Sequence, residues 1–185
     1  MAAGLESLVP DVIPDQPQYQ LKVSFTGDLK VTPGLELRPR QVRDAPIVEW
    51  EADPDKLYTL MMVDPDAPSR QNPVRRDCLH WLVFNIPGSD MKKGETKAAY
   101  IGSGAPQGSG LHRYTFLVCQ QPGSLNLDEM ESADKTQIKP RLCFKTLQFL
   151  QSHNLQPLAA NFFQAEWDDY VPELHAQFGY KPTPA

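Results

Sequence analysis

Eighteen prolines are scattered through this 185-residue chain, about twice the ~5% share of an average protein. Proline fixes φ and removes a backbone donor, so it interrupts helices and is kept out of central strands. Here the prolines mostly fall between apolar runs, which is the punctuation of a fold made of short strands joined by loops. The runs are distinct. Gln20 to Thr26 alternates, with Leu21, Val23 and Phe25 set against Lys22 and Ser24. Leu57 to Val63 and Leu79 to Ile86 are continuously apolar apart from His80 and single polar positions, and are closed by Asp64-Pro65 and Pro87-Gly88. That is the form of buried strands. His112 to Cys119 sends His112, Tyr114, Phe116 and Val118 to one face and Arg113, Thr115, Leu117 and Cys119 to the other.

Pro33-Gly34 marks a turn, and Ile47-Val48-Glu49-Trp50 is a short extended piece. Leu5, Leu8, Val9 and Val12 are spaced for a short helix within a polar, proline-marked leader. Helical patterns dominate only after residue 140. Phe144, Leu147, Leu150 and Gln151 suit a helix of about ten residues ending near Asn154. A last helix follows Asp168-Asp169, with Pro172 in its first turn and Val171, Leu174 and Phe178 on one face. Strands first and helices last predict a mainly β fold: two antiparallel sheets packed as a sandwich, with peripheral and C-terminal α-helices. No repeat or linker divides the chain, so a single domain over 1–185 is expected.

Net charge is -5, which argues against nucleic acid, whose binders need a basic face. No window approaches the ~20 apolar residues of a membrane-spanning helix, leaving at most peripheral contact with a membrane through a headgroup. The first ten residues lack the basic and apolar parts of a signal peptide. Cys78, Cys119 and Cys143 are odd in number and lack metal spacing, so they read as reduced thiols. These features together predict a cytoplasmic protein, and a monomer is favoured.

The chemistry concentrates between Asp64 and Tyr114. Asp64-Pro65-Asp66-Ala67-Pro68 sets two braced carboxylates where a loop leaves a strand. Such a sequence also simply starts turns. The stronger use for Asp64 is to accept an N–H from a histidine and fix its tautomer. Asp66 is open to capping backbone amides or meeting a ligand ammonium. His80 lies within an apolar strand, a common place for a satisfied core residue, but His112 and Tyr114 open another strand on a shared face. The loop Gly102 to Gly110 carries four glycines besides Pro106, and can turn consecutive N–H groups toward an anion. It is no Walker loop, because no Gly-Lys-Ser/Thr ends it. Arg113 is expected to face away from His112 and pair with acids, and Trp167 to belong to the core. No Gly-x-Ser-x-Gly elbow is present, and Asp64, Asp66, His80 and His112 lack the paired spacing of zinc sites. Neither metal nor cofactor nor catalysis is expected. A phosphate-sized anion is, held more tightly as the histidines protonate below about pH 6.5.

The Asp64 to Arg70 stretch, the run from Gly102 through Gly108, Gly110, His112, Arg113 and Tyr114, and the Gln164 to Pro172 segment strongly resemble the phosphatidylethanolamine-binding protein family. Its animal members include the Raf kinase inhibitor protein. The resemblance spans about residues 18–180. It implies a two-sheet fold with a pocket for phosphate or the phosphoethanolamine headgroup, matched here by Asp64, His80, Gly104, His112 and Tyr114, with Pro68 and Pro106 near the rim. It also implies, as possible partners, Raf-type kinases or serine proteases that family members inhibit. Three positions depart from the pattern: Cys78 and His175 stand where aromatic residues are common, and Ala105 replaces the first of a proline pair. The departures imply a rim with less aromatic surface, and a His175 free to attract phosphate at low pH. Ser132 to Lys139 does not reproduce the segment around the mammalian regulatory phosphoserine.

Overall fold

The computed structural model describes residues 4–180. In chain order the elements are β1 (Tyr19–Gln20), β2 (Lys22–Phe25), β3 (Leu29–Lys30), β4 (Leu35–Glu36), β5 (Ile47–Glu49), β6 (Leu57–Asp64), β7 (Cys78–Pro87), β8 (Glu95–Ala98), β9 (His112–Gln120), α1 (Thr146–Ser152), β10 (Gln156–Ala165) and α2 (Val171–Gln177). Among the described residues they form a seven-stranded sheet ordered β1-β10-β9-β6-β7-β8, with β4 also on β10, and a three-stranded sheet ordered β3-β2-β5. The mainly β, two-sheet architecture is as expected. Most pairings are antiparallel, but the short β1 and β4 both run parallel to β10.

The single strand predicted over Gln20 to Thr26 is two. Leu21 donates its N–H to the Ala160 carbonyl of the large sheet, and the chain then crosses to the small sheet as β2. The largest difference lies at β10. Its sequence, with Pro157 and three alanines, carries no strand periodicity. It is a strand because neighbours on both sides satisfy its backbone: β9 along most of its length, and β1 and β4 on the far edge. The buried Asn161 amide adds bonds to the Leu21 and Val31 carbonyls, at 2.8 and 2.9 Å.

The large sheet is central and buries both faces. One face packs Leu60, Val83, Phe116 and Phe163 against Val23 and Phe25 of the small sheet. The other packs Met61, Leu82 and Leu117 beneath the leader residues Leu5, Leu8 and Ile13 and Leu150 of α1. Double coverage explains why β6 and β7 read as unbroken apolar runs. The leader forms only one 3₁₀ turn, Glu6–Leu8, yet its leucines are fully buried. All three cysteines are free thiols, with Cys78 and Cys119 buried and Cys143 exposed.

Candidate functional site

Strand register brings the expected residues to one end of the large sheet. Asp64 closes β6 opposite Cys78, which opens β7. Val63 pairs with Thr115, so the start of β9 lies alongside. There a cavity of about 270 Å³ opens, walled by Asp64, His80, His112 and Tyr114 below and by Pro68, Gly104, Pro106 and His175 at its sides. Eight of the nine residues expected to contact a ligand therefore converge on one space.

Asp66 does not join them. It is fully buried on the opposite face, where its Oδ2 accepts from the Arg113 backbone N–H at 2.9 Å and its Oδ1 from the guanidinium at 2.7 Å. The pleat explains the exchange. Neighbouring His112 and Arg113 point to opposite sides, and each takes one aspartate of the Asp64-Pro65-Asp66 turn. Burial pulls the Arg113 guanidinium down, but the Asp66 and Asp11 carboxylates outweigh it and hold its charge firmly. Arg113 also donates to the Ser7 carbonyl and, at 2.8 Å, to Asp11, clamping the leader across the sheet. Trp167 departs from expectation as well. It is half-buried and lines a shallow surface cleft with Arg38 and Glu166 instead of joining the core.

Within the cavity, His112 Nδ1 lies 2.7 Å from Asp64 Oδ2. A carboxylate oxygen only accepts there, so Nδ1 carries the proton and the tautomer is fixed. Asp64 is itself oriented, since its Oδ1 accepts the Asp66 N–H at 2.8 Å. His112 Nε2 is 2.9 Å from the Ser109 hydroxyl, which also lies 2.7 Å from the Pro106 carbonyl, so its one proton is shared between these two acceptors. The Gly-rich loop is thereby tied to the ring.

His80 Nδ1 faces the carbonyls of Ile101 and Gly102, both at 3.1 Å, so it too is protonated at Nδ1. Burial pushes this imidazole down to about 4, against the opposing pull of the Asp64 charge. His80 is therefore neutral across the physiological range, and its Nε2 is a lone-pair acceptor. The expectation that both histidines gain a proton near pH 6.5 fails here because the ring is desolvated. Tyr114 is fully buried, and its hydroxyl has no hydrogen-bond partner among the described residues. Burial, reinforced by Asp64, pushes the phenol well up, so it keeps its proton, while the Gly104 and Ala105 amides lie toward the same oxygen.

His175 Nε2 is 2.9 Å from the Gly104 carbonyl. It fastens α2 to the loop, and this nitrogen is not free to meet an anion. Nor is the rim short of aromatic surface. Phe178 and Tyr180 line the cavity, with ring centroids 6.5 and 6.0 Å from that of His175. They compensate for the positions held by Cys78 and His175. Sequence reasoning also missed Arg75, an exposed cation on the cavity wall, and Arg141. Fully buried Arg141 donates to six backbone carbonyls, those of Leu79, His80, Ala99, Ala133, Asp134 and Gln137. Burial lowers it to about 10, still cationic at neutral pH. It braces the backbone under His80 and places Ile138 and Leu142 on the cavity wall. The cluster of basic residues around Arg75 was the available signal for the first; for the second there was none. Among the described residues, no group of three His, Cys, Asp or Glu side chains is placed to hold a metal ion.

Comparison with known proteins finds relatives along most of the chain. The family described as "Phosphatidylethanolamine-binding protein" matches residues 16–163. "Putative odorant-binding protein A5" of Drosophila melanogaster is 36% identical over 168 residues, covering 90% of this chain and 80% of that protein. The CG7054 solution structure superposes with a TM-score of 0.74 at 43% identity, covering 92% of this chain and 97% of that one. Carboxypeptidase Y inhibitor, solved in complex with its cognate proteinase, superposes with a TM-score of 0.72 at 26% identity, covering 89% and 90%.

Proposed function

The chain belongs to the phosphatidylethanolamine-binding protein family, and from that premise we propose that it is a non-enzymatic, cytoplasmic and monomeric binding protein whose cavity takes a phosphate-bearing headgroup of the phosphoethanolamine type. The observation that carries this reading is the Tyr114 hydroxyl, a buried donor in the cavity that finds no acceptor among the described residues. A buried polar group left unsatisfied costs about 1–3 kcal/mol, and a ligand oxygen removes that cost. Around it stand the Gly104 and Ala105 amides, His112 and the Arg75 guanidinium. Asp64 and the rings of Phe178 and Tyr180 suit an ammonium, and Leu142 and Leu174 suit the carbon stem between the two charges.

Phosphorus NMR titration with phosphoethanolamine tests the proposal. We expect saturable shifts at millimolar ligand in the wild type and their weakening in Tyr114→Phe. Unchanged shifts with folded wild-type protein would refute it.

A second reading, inhibition of a serine protease or a Raf-type kinase through surface contacts, is favoured by the likeness to carboxypeptidase Y inhibitor. Protease inhibition assays and kinase pull-downs with wild type and His80→Ala separate the two. A partner retained when headgroup binding is lost places inhibition on the surface, outside the cavity.

A further inference from the structure

Four segments surround the cavity mouth: residues 67–76, 102–111, 138–145 and 174–180. Together they hold six lysines and arginines and no aspartate or glutamate, in a chain with 18 basic and 23 acidic residues. Arg141 is buried, and Arg76 is paired with Asp11 on the far side. Arg70, Arg75 and Lys139 are exposed, and among the described residues they form no ion pair. Of the four large apolar side chains exposed among the described residues, two belong to the same rim: Val74 at 68% and Tyr180 at 51%. A cluster of three exposed cations, in no ion pair among the described residues, on a protein of net charge -5 is a local feature that composition conceals.

We propose that the rim around the cavity mouth is a docking surface for the anionic leaflet of a lipid bilayer, with Arg70, Arg75 and Lys139 against lipid phosphates and carboxylates, and Val74 and Tyr180 seated at the headgroup level. Charge complementarity selects an anionic partner. The exposed valine and tyrosine among the cations select a bilayer over an acidic polypeptide, because an amphipathic ring settles at the membrane interface and a solvated acidic chain offers no apolar layer. The inference goes beyond the headgroup reading, since Arg70, Val74 and Lys139 lie outside the cavity and only Arg75 and Tyr180 also line it.

Flotation of the full chain with phosphatidylcholine vesicles, with and without one-quarter phosphatidylserine, tests it. Wild type floats with the anionic vesicles, remains behind with the neutral ones, and is released as salt rises beyond about 0.15 M. Arg70→Glu combined with Lys139→Glu lowers partitioning at least about tenfold, as removal of surface charge attraction requires, and Val74→Ser lowers it further. None of these three residues lines the cavity, so all variants keep the wild-type phosphoethanolamine titration in solution. Equal flotation with neutral vesicles, an unaffected charge-reversal variant, or salt-sensitive capture of polyglutamate without vesicle binding each overturns the proposal. Rim-dependent flotation with no phosphoethanolamine shift leaves it standing and removes the cavity reading instead.

Discussion

His175 Nε2 donates to the Gly104 carbonyl across 2.9 Å, so the last helix and the Gly-rich loop form one wall of the cavity. The two glycines flanking Ser103 are closely packed for different reasons. A Cβ on Gly104 would come within 2.9 Å of Leu174 Cδ2, whereas one on Gly102 would meet the Val42 carbonyl oxygen at 2.8 Å and Arg43 Cα at 3.1 Å. A leucine methyl can rotate away; backbone cannot. Gly102→Ala should cost about 1–3 kcal/mol, and Gly104→Ala clearly less, as measured by urea unfolding. Equal costs would contradict this account.

Tyr114→Phe should separate stability from binding. Removing a buried hydroxyl that donates to none of the described residues leaves the fold as stable as before or slightly more so. Affinity for phosphoethanolamine should fall about ten- to hundredfold, the equivalent of one charge-assisted hydrogen bond. Denaturant unfolding and phosphorus titration of the same variant decide the matter. A variant that loses stability while retaining affinity would show that the hydroxyl serves the core.

His80 makes stability depend on pH. Above pH 6.5 its ring is neutral in the folded and unfolded chain alike. Between 6.5 and about 4 only the unfolded chain takes up the proton, so stability is lost as pH falls through this window and the loss is complete below it. At ~1.4 kcal/mol per pKa unit, the loss amounts to about 3 kcal/mol. Urea midpoints at pH 7, 5.5 and 4.5 should decline in wild type and decline less in His80→Phe. Parallel slopes would assign the acid sensitivity to other groups.

The neutral Nε2 of His80 also discriminates among ligands. It accepts a proton but offers none, so a phosphomonoester fits best as the monoanion, whose remaining P–OH can donate. Affinity for phosphoethanolamine should therefore rise as pH falls through about 6, near the second pKa of a monoester. Glycerophosphoethanolamine, a diester without that proton, should bind with little change over the same range. Titrations at pH 7.5 and 5.5 compare them, and an equal rise for both esters would place the titrating group on the protein.

The strands that build the cavity floor could be read from the chain because each is an apolar run ended by a turn, and pleat alternation alone placed His112 and Tyr114 together and Arg113 apart. What stayed hidden depends on contacts across long separations. Asp66 looks like a partner of Asp64 until Arg113 claims it from 47 residues away. His175 looks free until the Gly104 carbonyl is seen beside it. The depressed His80 proton affinity follows from desolvation, which depends on what packs above the ring and not on its neighbours in sequence. Gln156–Ala165 shows the same limit at the level of an element. Its composition names neither helix nor strand, and only the partners on either side decide.

That tenth strand has a consequence for assembly. Residues 19 and 20 find their places beside residues 159 and 160, so they wait for a segment made far later in the chain. During synthesis the middle strands can collapse early while their outer edge stays open to other chains. A nascent molecule halted before residue 165 should therefore be sticky and unfinished, however well its headgroup-facing residues are already aligned.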